Sequence, residues 1–251
     1  MLTPQQMYQR FEQQATWTQS IRQYVYQTIG LNQAKRVLEI GCGEGVILSD
    51  LLQTGVNEVH GLDIRLSALQ FSAQNKTVHP YLICGNGLSL PFPADVFDVT
   101  LCHFTLMWLK DPLRGLKEMR RVTRPGGWVV ALAEPDYGGR IDFPLELAQV
   151  GQMQAEALAD QGADPNLGRK LSALLHQSGL KQIQTGVLGG QWNNNLSEEN
   201  LNLEWQTLKT DLAQRLCSDK LEKLQILDMD AWIKGERVLF VPTFYGWGRV
   251  A

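Results

Sequence analysis

The chain predicts an α/β fold, a doubly wound and mostly parallel sheet with helices on both faces. Three observations carry this. The apolar run Arg36-Val37-Leu38-Glu39-Ile40 breaks into glycines at alternate positions, Gly41, Gly43 and Gly45, then resumes at Val46 with a helical pattern. Short apolar strands go on alternating with helix-like segments as far as Glu134. Asp63 closes the second strand twenty positions beyond Gly43, the separation at which a strand-helix-strand unit sets a carboxylate beside a bound ribose.

Composition narrows the classes of partner. Among 251 residues, 23 Lys and Arg stand against 26 Asp and Glu, a formal charge of -3. No positive surplus is available to hold a phosphate backbone, so nucleic acid is not expected as a partner. No apolar run approaches a membrane span, and Met1 to Gln6 lack the basic flank and apolar core of a signal peptide. A cytoplasmic protein without membrane insertion is the expectation. Cys42, Cys84, Cys102 and Cys217 form no Cys-x-x-Cys pair, and the four His include no His-Glu-x-x-His. Small buried thiols are expected, with no metal.

Residues 1–34 form a first segment whose apolar residues, among them Ile21, Tyr24, Val25 and Ile29, recur at helical spacing. One or two helices are expected there, ahead of a domain over 35–251. Tyr8, Phe11 and Trp17 either pack this segment on the domain or cover a ligand. At the glycine turn, main-chain freedom and the lack of a side chain let a ligand lie on the backbone. The second strand, Glu58 to Ile64, leads to a helix around Ser67 to Gln74 and a third strand, Tyr81 to Cys84, ending in Gly85-Asn86-Gly87. Asn86 offers an amide to a purine edge, or serves as a left-handed turn residue.

Phe97 to His103 is the fourth strand, and a helix over Pro112 to Val122 ends at Arg124-Pro125-Gly126-Gly127, releasing a fifth strand, Trp128 to Glu134. Ligands of such sheets bind beyond the carboxyl ends of the strands, where Glu39, Asp63, Asn86, His103 and Glu134 share one rim. The loop from Pro135 to Pro144 brings Asp136, Tyr137 and Arg140 to that rim as acceptor contacts, Arg140 as a carboxylate clamp. Trp108 joins this set. Two helices and a strand, Ile183 to Leu188, follow. A helical insert over about 196–235 then interrupts the alternation, with Leu201, Trp205, Leu208 and Leu212 on one helix side. It forms a lid, an acceptor pocket or an interface, and a final strand runs from Arg237 to Arg249.

The ordered set of Glu39-Ile40-Gly41-Cys42-Gly43-Glu44-Gly45, Asp63, Asn86, Phe97-Asp98 and Arg124-Pro125-Gly126-Gly127 resembles the class I S-adenosylmethionine-dependent methyltransferases. The resemblance covers about Lys35 to Glu134 and the closing Phe244 to Arg249. It implies a Rossmann-like sheet of seven strands with an antiparallel last strand, and S-adenosylmethionine as cofactor. Gly41, Cys42 and Gly43 would pass under its methionine portion and Glu39 would hold its ammonium. Asp63 would take the ribose hydroxyls and Ile64 would lie against the adenine. Asn86 stands where the family often has Asp at the adenine amino group, beside Gly87. His103 would lie near the sulfonium.

The main competitor within the fold, a nicotinamide dehydrogenase, needs Gly-x-Gly-x-x-Gly, whereas this chain has Gly-x-Gly-x-Gly behind a carboxylate. Glu39 suits a cationic amino-acid end and would repel a pyrophosphate. The expected reaction is in-line methyl transfer to a small-molecule acceptor through N, O or C. His103 is the first candidate for a base and Tyr137 the second catalytic candidate. The alternative of another class is a non-catalytic S-adenosylmethionine-binding protein. A monomer or homodimer is expected.

Overall fold

A computed structural model describes residues 3–74, 80–189 and 198–251. Two helices open the chain, α1 over Pro4–Trp17 and α2 over Gln19–Thr28. A capping box starts α1, with Thr3 and Gln6 answering each other's backbone N–H groups and Pro4 in the first turn. Thr18 is the joint between the helices. Strand β1 (Arg36–Ile40) passes through the glycine turn into α3 (Val46–Leu52). Strand β2 (Glu58–Asp63), helix α4 (Leu66–Gln74), strand β3 (Tyr81–Cys84) and strand β4 (Phe97–Cys102) follow. Helix α5 (Pro112–Val122) is capped by Asp111, whose carboxylate accepts the Arg114 N–H at 2.9 Å, and it ends on Arg120 and Arg121 at the negative pole of its dipole.

Strand β5 (Thr123–Pro135) is followed by a short strand, β6 (Ile141–Phe143). Helices α6 (Ala148–Asp160) and α7 (Leu171–Gln177) lead to β7 (Lys181–Val187). Helices α8 (Glu198–Leu212) and α9 (Ser218–Ile233) precede β8 (Val238–Phe240) and β9 (Thr243–Arg249). The main sheet has seven strands in the order β3-β2-β1-β4-β5-β9-β7, and β9 alone runs antiparallel to its neighbours. This is the expected Rossmann-like arrangement. The N-terminal boundary of the predicted insert, residue 196, lies outside the described residues.

Alternation along β1 sorts its side chains. Val37 packs on the face covered by α2 and α3 with Val25, Leu48 and Leu51, whereas Leu38 and Ile40 pack on the face of α5 and α7 with Leu116, Met119 and Leu175. A third cluster joins α6, α8 and α9 through Leu147, Val150, Trp205, Leu208, Leu212 and Leu224. The predicted apolar side of α8 is therefore the inner wall of a helical cover.

Two expectations are corrected. The predicted final strand is two strands, because Pro242 lacks a ladder donor and separates β8 from β9. Strand β8 instead pairs antiparallel with β6, inside the segment expected as a loop. The thiols also divide: Cys42 and Cys102 are buried, but Cys84 ends an edge strand and is exposed, as is Cys217.

Candidate active site

The glycine turn is shaped by left-handed backbone geometry that favours glycine. Gly41, Gly43 and Gly45 have φ of 72°, 51° and 87°. A Cβ on Gly41 would come within 2.5 Å of the Thr105 side chain, so the loop after β4 closes directly on the turn. Asp63 fixes it from the other side: its Oδ2 accepts the Gly43 N–H at 2.8 Å and its Oδ1 the Arg65 N–H at 2.8 Å. Arg65 in turn forks onto Glu44, with both N···O distances 3.3 Å.

One cavity of about 1510 Å³ begins at this turn and extends beneath α1, α6 and α8. Glu39, Gly41, Cys42 and Gly43 border it at the turn. Asp63, Ile64, Asn86 and Gly87 border it at the ends of β2 and β3. His103, Trp108, Tyr137 and Arg140 border it towards the cover. Glu39 is buried, while Ile64 is 69% exposed and can present its flat side to a ring. Asn86 Oδ1 accepts the Leu88 N–H at 2.9 Å, so this amide shapes the turn and also edges the cavity.

Asp136 is not among the lining residues. It is buried, with its carboxylate gripped by the Arg169 guanidinium at 2.6 and 2.7 Å. Arg140 is likewise committed, donating to Asp142 at 2.6 and 3.1 Å and to Gln154 at 2.7 Å. It is a strut for the loop, with no open fork left for a carboxylate. Both residues read as acceptor contacts because a polar loop at the rim was the only signal; the partner of Asp136 lies 33 residues on, and that of Arg140 two residues on in the same loop.

His103 Nε2 lies 2.9 Å from Thr18 Oγ1. Burial, and then the Arg22 charge, lower its pKa to about 3, so the imidazole is neutral at ordinary pH. Arg22 itself donates to Thr18 Oγ1 and to the Ala15 carbonyl, each at 2.6 Å, and to Asp50 at 2.9 Å. The joint between α1 and α2 is thus latched to the floor of the cavity. Glu134 lies beneath the rim, accepting the N–H groups of Thr105, Leu106 and Met107 at 3.2, 2.9 and 3.1 Å. Burial pushes its pKa up to about 7 against those bonds.

The first segment also lines the cavity, through two aromatics expected to pack or cover a ligand and two residues the sequence did not single out, Met7 and Arg10. Met7, Arg10, Phe11 and Trp17 bring α1 over the cavity, and Phe11 comes within 3.5 Å of where a Gly43 Cβ would stand. Tyr8 instead packs on Phe71, with ring centroids 5.8 Å apart. The first segment therefore does both jobs proposed for its aromatics. From α8 come Glu204, Thr207 and Asp211, on the helix side adjoining the apolar wall.

Comparison with known proteins matches residues 38–131 to a family described as a methyltransferase domain. A demethylmenaquinone methyltransferase of Bacillus licheniformis is 31% identical over 193 residues, covering 69% of this chain and 81% of its own length. The chain belongs to the class I S-adenosylmethionine-dependent methyltransferases. The Bacillus subtilis demethylmenaquinone methyltransferase is 28% identical over 193 residues, again 69% of this chain and 81% of its own.

Among solved structures, a geranyl diphosphate methyltransferase in complex with S-adenosylmethionine has a TM-score of 0.53 at 15% identity, covering 86% of this chain and 78% of its own. The [4+2]-cyclase SpnF has a TM-score of 0.58 at 16% identity, over 92% and 79% of the two chains. A fold shared with a cyclase shows that the reaction is not set by the architecture. For this methyltransferase the cofactor is S-adenosylmethionine, and no helix among the described residues is long and apolar enough to cross a membrane.

Proposed function

We propose that this methyltransferase moves the methyl group of S-adenosylmethionine to an N, O or C atom of a small-molecule acceptor enclosed beneath the helical cover. The observation that carries the reading is the single cavity joining the glycine turn to the inner faces of α6 and α8, large enough for two ligands end to end. The residues suit the cofactor. Left-handed glycines leave bare backbone at the cavity wall, and the buried Glu39 supplies negative charge for an ammonium. Gly41, Cys42 and Gly43 would lie under the methionine portion. Asp63 would accept the ribose hydroxyls with the lone pairs not given to Gly43 and Arg65. Ile64, Asn86 and Gly87 would border the adenine.

When bound, S-adenosylmethionine supplies a methyl already activated by its sulfonium. The chain's own part is to align the acceptor, exclude water and hold charge. His103 would do this as a neutral wall near the sulfonium, since an imidazole with a pKa of about 3 is a weak proton acceptor at neutral pH. Trp108 and Tyr137 remain the acceptor contacts of the rim, and burial raises the Tyr137 pKa, keeping its phenol protonated. Asp136 and Arg140 act one step removed, through Arg169 and Asp142.

The test is incubation with S-adenosylmethionine, first with demethylmenaquinone because of the named relatives and then with fractionated small-molecule extracts. Release of S-adenosylhomocysteine, with one extract component heavier by a methylene, is the expected result. Tight cofactor binding without turnover in any fraction would instead establish a non-catalytic binding protein.

A further inference from the structure

Resting on the methyltransferase reading, we propose that the acceptor carries a basic nitrogen, held as a cation by Glu204 and Asp211 on the cavity face of α8. These two side chains are seven residues apart, two helical turns, and therefore share one side of the helix. Both line the cavity beneath the cover, where the Tyr137 phenol lies in electrostatic range of each. The adjoining side of α8 carries Trp205, Leu208 and Leu212 into the core of the cover, with Leu201 buried on the same stripe, so neither carboxylate can turn to solvent by rotating the helix without exposing that wall.

The charges around the two carboxylates do not cancel. Arg140 and Arg237 act on Glu204 through space, but both are spoken for. Arg140 pairs with Asp142, and Arg237 pairs with Asp142 at 2.8 Å and with Asp228 at 2.5 Å, so two guanidiniums meet two carboxylates. No hydrogen bond or ion pair holds Glu204 among the described residues. Asp211 is hydrogen-bonded by the neutral Gln161 side chain, but its Oδ2 is buried without a partner among the same residues, and Arg10 reaches it only through space. If Arg10 offsets one of the pair, one negative charge is left facing an enclosed space.

A carboxylate in that position is stabilised by a cation or by a proton. Burial raises the pKa of both groups, consistent with a site that lacks its counter-charge. A ligand ammonium supplies it, and the Tyr137 ring near both carboxylates adds cation–π attraction. A neutral ligand could instead meet protonated carboxyls acting as donors. That second arrangement makes a different prediction for matched amines and alcohols.

The full chain saturated with S-adenosylhomocysteine is titrated calorimetrically with phenethylamine and tryptamine, and with 2-phenylethanol and tryptophol as neutral counterparts. The expected result is a preference for each amine of about tenfold or more. In the isosteric E204Q/D211N variant that preference disappears while S-adenosylhomocysteine still binds. Equal or better binding of the alcohols, no amine binding at all, or a preference that survives in the variant would each overturn the proposal. Loss of S-adenosylhomocysteine binding by the unaltered chain would strike the methyltransferase reading instead, so the two failures are distinguishable.

Discussion

Asp63 holds Gly43: the carboxylate at the end of β2 accepts the N–H of the glycine at the centre of the turn, at 2.8 Å. Its other oxygen accepts the Arg65 N–H. The residue assigned to the ribose is therefore also the brace that sets the shape of the cradle. Cofactor affinity and local order are coupled through one side chain. Asp63→Ala leaves two N–H groups without their charged acceptor, which costs about 1–3 kcal/mol. Asp63→Asn keeps one acceptor oxygen and should lose less. Urea unfolding should rank the chains wild type, Asn, Ala, with S-adenosylhomocysteine affinity by calorimetry falling in the same order. A stable Ala variant that merely binds weakly would show that the brace is dispensable.

The same turn meets Thr105 from the opposite side. A methyl on Gly41 would lie 2.5 Å from Thr105 Cγ2 and Oγ1, at a φ of 72°. Gly41→Ala should therefore carry a steric penalty on top of the backbone strain of about 1–3 kcal/mol. Thr105→Ala removes the atoms that clash, although it gives up hydrogen bonds to the Ile40 and His103 carbonyls. The double variant should be more stable than the two single losses predict. A double-mutant cycle in thermal unfolding reads this directly, and simple additivity would mean that the loop shifts aside without cost.

For His103 the sign of the pH dependence follows from its depressed pKa. The unfolded imidazole titrates near 6.5 and the folded one at about 3. Between those values the unfolded chain takes up a proton that the folded chain refuses. The contribution to stability is complete above pH 6.5 and drains away as the pH falls towards 3. Between pH 7 and 5 the loss is up to about 2 kcal/mol. In His103→Phe this part of the acid dependence should vanish, so the wild-type and variant urea midpoints converge on acidification. Once an acceptor is in hand, the rate profile should show no inflection from this residue between pH 5 and 8. An imidazole seen by NMR to titrate near 6.5 in the folded protein would restore it as a base.

What was legible in the sequence is what nearest-neighbour patterns encode. Gly41, Gly43 and Gly45 announce the turn because glycine adopts their positive φ without strain. Asp63 follows at the length of one helix and one strand. The apolar side of α8 is written in the period of Leu201, Trp205, Leu208 and Leu212. Asp136 and Arg140 lie on the expected loop, but Asp136 does not line the cavity and Arg140, which does, is bonded to Asp142 and Gln154. The partner of Asp136, Arg169, is distinguishable only in three dimensions, where a carboxylate and a guanidinium 33 residues apart meet at 2.6 Å, whereas Asp142 stands two residues from Arg140 in the same loop. For α1 the sequence leaves two roles open, packing or covering a ligand: Phe11 and Tyr8 are both aromatics on one helix, and only packing separates the one over the cavity from the one on Phe71.

The helical cover depends on a buried chain of charges that bridges distant segments. Arg237 donates to Asp142 at 2.8 Å and to Asp228 at 2.5 Å, and Asp228 accepts the Trp205 indole N–H at 2.8 Å. Asp142 also takes Arg140, so β6, α8, α9 and the start of β8 are tied at one point. Arg237→Met fills similar space but leaves Asp228 without a cation and Asp142 with one in place of two. Breaking a buried pair from one side costs about 3–5 kcal/mol. Because the network lies in the cover and not in the seven-stranded sheet, the loss should be local. Hydrogen exchange should accelerate across α8 and α9 while β1, β4 and β5 keep their protection. S-adenosylhomocysteine should still bind at the glycine turn, whereas ligands of the acceptor end should bind weakly. Uniform acceleration through the sheet as well would mean that cover and sheet unfold as one unit, and that Arg237 supports the whole domain.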